Sequence, residues 1–121
     1  MGRTQKIGAA GEQAAVDWLR KEGFDIVKRN WRSGSYELDI VAQRWDKIHF
    51  VEVKSRDALS WETPEDAMTP AKQRSFRRAA EAYLALYDTD LEPQLDLIAV
   101  DTLPGGGFEV RYIPEAVISR W

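Results

Sequence analysis

The chain predicts an α/β fold, a mixed β-sheet flanked by helices, and three observations carry that reading. Two stretches place apolar residues at helical spacing, and five shorter ones are rich in β-branched and aromatic residues. These alternate as helix, three strands, helix, two strands. The third strand, the second helix and the fourth strand form a right-handed crossover unit, which makes those two strands parallel neighbours. A length of 121 residues suits one core, so residues 1–121 are expected to be a single domain.

The first helix is expected from Ala9 to Glu22, because Ala15, Val16 and Leu19 share a face and Gly23 stands where a C-terminal cap belongs. Strands follow at Phe24 to Asn30, Tyr36 to Gln43 and Ile48 to Lys54. The second helix spans Pro70 to Tyr87, with proline at its start and Phe76, Ala79, Ala80, Tyr83, Leu84 and Tyr87 along one stripe. Strands at Leu95 to Val100 and Phe108 to Ile113 complete the sheet, joined by a turn at Gly105 to Gly107. Between the third strand and the second helix, Asp57 to Thr69 reads as a loop that Trp61 plugs onto the core. His49 reads as structural, and Asp96 as a hydrogen-bonded or sheet-edge residue in an apolar strand.

Composition narrows the chemistry. A net charge of -3 and a pI near 5.2 argue against coating nucleic acid by bulk electrostatics, so any such contact needs a local basic patch. The absence of cysteine removes disulfides, thiolate catalysis and cysteine-bound zinc, and the single His49 removes a histidine-rich metal site. No run approaches the ~18 apolar residues of a membrane span, and Met1 to Gln13 lacks a secretory apolar stretch. The expected compartment is the cytoplasm, with no membrane partner.

The chemistry-bearing constellation follows from hairpin register. A tight turn centred on Trp45 and Asp46 pairs Asp39 with Glu52, Val41 with Phe50 and Leu38 with Val53. Leu38, Ile40, Ala42, Val51 and Val53 then form the apolar face, and Glu37, Asp39, Glu52 and Lys54 gather on the other. Two opposed carboxylates repel unless a cation lies between them, and hard Mg²⁺ or Mn²⁺ prefers carboxylate oxygens and water. Lys54 either orients a water and stabilises charge on a phosphate, or pairs with Glu37 on a solvated face. Glu12 precedes Ala15, Val16 and Leu19 by three, four and seven residues, so its carboxylate turns inward unless it is solvated at the helix start.

Gly11-Glu12 with Ala15, Asn30-Trp31, the segments Glu37 to Ala42 and Phe50 to Arg56, and Leu95 to Val100 together resemble the YraN-like family of small bacterial proteins. The resemblance covers nearly the whole chain and implies a restriction-endonuclease-like fold of the PD-(D/E)xK nuclease superfamily, similar to Holliday-junction resolvases. Carried over by motif, Glu12, Asp39, Glu52 and Lys54 are the implied catalytic residues, with Asp39, Glu52 and Glu12 toward the metal. Tyr36 departs from the glycine usual there, and a larger side chain would narrow access to the site.

For substrate contact, Lys72 and Gln73 at the start of the second helix turn toward the sheet, Arg56 lies close beyond Lys54, and Arg74, Arg77 and Arg78 fall opposite the apolar stripe. The expected function is a Mg²⁺- or Mn²⁺-dependent endonuclease that hydrolyses phosphodiester bonds, with DNA, branched or structured, as the expected polymer and a homodimer left open. The alternative is a non-catalytic nucleic-acid-binding or scaffolding protein that retains the nuclease fold.

Overall fold

A computed structural model describes residues 2–57, 61 and 63–117. Its elements are α1 (Gly2–Lys21), β1 (Asp25–Ser33), β2 (Tyr36–Arg44), β3 (Lys47–Asp57), α2 (Pro64–Ala67), α3 (Pro70–Leu86), β4 (Glu92–Thr102) and β5 (Phe108–Val117). The five strands lie side by side in chain order, antiparallel except for the parallel pair β3 and β4. A five-stranded mixed sheet flanked by two main helices is the expected α/β architecture and is consistent with a restriction-endonuclease-like fold.

The helix ends follow local chemistry. Phe24 N–H donates to Leu19 C=O and Gly23 N–H to Arg20 C=O, closing α1 in a Schellman motif whose left-handed residue is Gly23 at φ 90°. Thr69 caps α3 by accepting from Lys72 N–H, with Pro70 at the first helical position. α1 begins at Gly2, earlier than the expected Ala9, and every strand except β2 runs several residues beyond an expected end. Two expectations for the β3–α3 connection are corrected. It contains the single turn α2, and Trp61 is 98% exposed and does not plug the core.

Both faces of the sheet are buried. Ala15, Val16 and Leu19 of α1 pack on Ile40, Ala42, Val51, Ile98 and Val100, while Phe76, Ala79, Ala80 and Tyr83 of α3 pack on Leu38, Val41, Phe50, Leu95 and Leu97. This corrects the expected apolar set, because Leu38 faces α3 whereas Ile40, Ala42, Val51 and Val53 face α1. Beside this change β1 is irregular at two places, a register shift between Ile26 and Lys28 and Asn30, a non-glycine residue at φ 51°. Arg29 pairs with Ile40 and Trp31 with Leu38, on either side of Asn30 and Asp39.

Candidate active site

The β2–β3 hairpin has the expected two-residue turn, with Arg44 opposite Lys47 and Val41 opposite Phe50. The ladder ends at Ile40 and Val51, one step short of Asp39 and Glu52, so the expected pairing of Leu38 with Val53 does not form. Beyond that point β2 stays with β1 and β3 with β4, and the two inner strands diverge. Asp39 spans the gap by accepting Val53 N–H on Oδ2 at 2.8 Å.

At the fork the carboxyls of Asp39 and Glu52 are within hydrogen-bonding contact. Burial pushes Glu52 up to about 8, and the neighbouring Asp39 charge adds to that rise, which Lys72 opposes. Burial also raises Asp39, against the lowering effect of the Val53 N–H and of Glu52. Of the two, Glu52 holds a proton the more tightly and donates it toward Asp39, the arrangement expected when two acids share a low-dielectric space.

Glu12 approaches from α1. Its Oε1 accepts from Asn30 Nδ2 at 3.0 Å and Arg29 Nε at 3.4 Å, and only 15% of its side chain is exposed. The inward carboxylate thus has protein partners, both contributed by β1. Gly11 permits this close approach of α1 to β3, since a Cβ there would collide with Ser55 Oγ. Glu12, Asp39, Val53, Lys54 and Ser55 line a small cleft on the α1 side.

A larger cleft of ≈ 580 Å³ opens on the α3 side, and Val53 and Lys54 line both. Its charged lining is Glu37, Glu52, Lys54, Lys72 and Arg78, over an apolar floor of Met68, Phe76 and Leu97. Among the described residues Lys54 enters no salt bridge, and Glu37, the alternative partner, is within 3.5 Å of Arg32 instead. Lys72 reaches the cleft, but two other candidate contacts lie elsewhere. Arg56 is paired with Asp101 at 2.7 Å, and Gln73 donates to Met68 C=O. Arg78, expected on the outer helix face, lines the cleft instead.

The donor set suits a hard ion held loosely. Among the described residues no three acidic or histidine side chains gather into a cage, but two adjoining carboxyls with water are a common way of holding Mg²⁺. Asp39 and Glu52 would be the ligands, with Glu12 acting through water.

The model of the Uncharacterised protein family UPF0102 matches residues 11–100, a span that includes Glu12, Asp39, Glu52 and Lys54. The chain belongs to the UPF0102 family, the YraN family. A UPF0102 protein from Bacteroides fragilis is 40% identical over 116 residues, covering 96% of this chain and 95% of its own length. Another from Symbiobacterium thermophilum is 40% identical over 93% of this chain and 97% of its own. A third UPF0102 protein, from Syntrophotalea carbinolica, is 43% identical over 91% and 89% respectively. For this UPF0102 chain, sequence alone did not single out Arg29, which with Asn30 orients Glu12, or Ser55, which meets Gly11.

A second polar cluster lies on the same sheet. Asp96, fully buried, accepts from Gln94 Nε2, Tyr112 O–H and the Glu115 N–H, and is 2.7 Å from His49 Nδ1. Burial, then the Asp96 charge, pushes the Tyr112 phenol far up, so it remains a donor. Among the described residues no helix is long and apolar enough to cross a membrane.

Proposed function

We propose that this chain is a metal-dependent endonuclease that hydrolyses phosphodiester bonds in nucleic acid. The observation that supports it most is the contact between the Asp39 and Glu52 carboxyls beside Lys54, at a fork where two strands leave room for a phosphate. A bound Mg²⁺ or Mn²⁺ would polarise the phosphoryl oxygens and lower the pKa of a bound water. Asp39 and Glu52 would hold that ion, and the proton they share would leave to solvent as it bound. Lys54 projects a cation at the junction of the two clefts, where it orients the attacking water and offsets charge on the phosphate. Arg29 and Asn30 fix the Glu12 carboxylate so that it can hold water beside Asp39. The resemblance to junction resolvases favours DNA, branched or structured, as substrate.

The test is cleavage of single-stranded, duplex, flap and four-way DNA with Mg²⁺ or Mn²⁺, comparing wild type with Asp39→Ala. Cleavage by wild type alone supports the reading. Failure on every substrate moves it to a non-catalytic nucleic-acid-binding protein. That second reading draws on the full engagement of Glu12 Oε1 by Arg29 and Asn30 and on the lack of a three-acid cage among the described residues.

A further inference from the structure

We propose that the cleft between β3 and α3 takes one unpaired nucleobase of the substrate, next to the phosphate that is cut. The proposal rests on the nuclease reading above and narrows its substrate class. The cleft holds ≈ 580 Å³, within the range of about 300 to 1,000 Å³ typical of sites for small organic groups. That is room for a nucleotide and not for a duplex.

The lining has two chemical halves. Met68, Phe76 and Leu97 make an apolar floor, and Tyr36, 39% exposed, lines the same space with a ring free to stack. A site that gripped only phosphates would need neither, because a duplex keeps the apolar faces of its bases inside the stack. An unpaired or extruded base presents those faces and carries polar groups on its edge. Ser75 in the same lining offers a hydroxyl to such an edge. Lys72 also lines the cleft, so a nucleotide with its base on the floor has a cation for its phosphate. Glu52 and Lys54 line it as well, which puts the base beside the carboxyl pair.

Tyr36 is therefore a specificity residue that favours substrates with unpaired nucleotides. The measurement uses a short single strand carrying one 2-aminopurine, added to the full chain in EDTA at pH 6, with anisotropy following binding and base fluorescence following stacking. Binding should quench the 2-aminopurine in the single strand and leave the same base unchanged in a duplex. Tyr36→Phe should keep the quench. Tyr36→Ala should lose it and weaken binding about tenfold, within the range for loss of one base–aromatic stack. Thermal melts check that both variants fold, and Ser75→Leu, which fills the cleft from an exposed helix position without adding a ring, should also abolish the quench. A bound strand that stays bright, an abasic strand bound as tightly as one with the base, or no binding at all would overturn the proposal. Cleavage with a bright strand would leave the nuclease reading standing without the base cleft. Quenching with no cleavage of any substrate would remove the nuclease reading alone.

Discussion

Val53 donates its backbone N–H to Asp39 Oδ2 at 2.8 Å, so a side chain occupies the place where a strand would otherwise pair. The carboxyl that would bind a metal is thereby also part of the hydrogen bonding of the sheet, and folding, titration and ion binding meet at one group.

Stability without metal should fall as pH rises from about 4.5 to about 8. Glu52 is raised from 4.5 to about 8, so over that window the folded chain keeps a proton that the unfolded chain has released. Unfolding then releases protons, and the free energy of unfolding decreases with pH. Glu52→Gln should remove most of that slope and be more stable than wild type at pH 8 by about 1 to 3 kcal/mol. Chemical denaturation in EDTA across pH 5 to 9 is the check, and a flat wild-type profile would contradict the shift.

Mg²⁺ or Mn²⁺ should raise the melting temperature, and more at pH 8 than at pH 6, because the ion displaces the proton shared by Asp39 and Glu52. Asp39→Ala should lose the response. Calorimetric titration in two buffers of different ionisation heat would count the released proton. Equal, negligible heats from wild type and variant would show that Asp39 and Glu52 hold no metal.

Lys54→Ala should fold normally and keep most of its metal affinity, since among the described residues Lys54 is in no salt bridge. Its cleavage rate should fall by about 10² or more, the scale for loss of one preorganised electrostatic donor. Single-turnover cleavage at saturating Mn²⁺, on whichever DNA wild type cuts, measures this. An unchanged rate would exclude Lys54 from the chemistry.

Arg56 and Lys72 should separate cleanly. Arg56→Ala leaves Asp101, 17% exposed, without the guanidinium facing it from the neighbouring strand, and should cost about 1 to 2 kcal/mol of stability while sparing nucleic-acid affinity. Lys72→Ala should leave the melt unchanged, weaken binding and reduce the slope of log K against log salt by about 1. Equal effects of the two on binding would place the nucleic acid across the outer end of β3 and β4.

Features that follow from short-range rules were legible in the sequence. Gly23 as a cap, proline at the start of α3 and the turn at Trp45 and Asp46 are local, and the turn alone set the register of Val41 against Phe50. The left-handed backbone of Asn30 was not legible, because alternation assumes every residue is extended and Asn30 at φ 51° is not. Leu38 and Ile40 lie two apart on β2 yet face opposite helices, which strict alternation does not foresee. The bonds from Arg29 and Asn30 to Glu12 join residues 17 and 18 positions apart, and the Arg56–Asp101 pair depends on the full parallel register of β3 and β4. Asp96 looked isolated because its donors come from three strands.

That carboxylate gives the sheet a mechanical asymmetry. Asp96 lies opposite Val51, the last β3 residue laddered to β2, and it gathers His49 from β3, Gln94 from β4, and Tyr112 and Glu115 from β5. On one side of Val51 the strands are laced together, and on the other the β2-facing edge of β3 is open to the cleft. Across that opening Asp39 acts as a rivet, its carboxyl holding Val53 N–H where no ladder bond forms, so the seam of the sheet is closed by a buried knot at one end and by a single titratable group at the other.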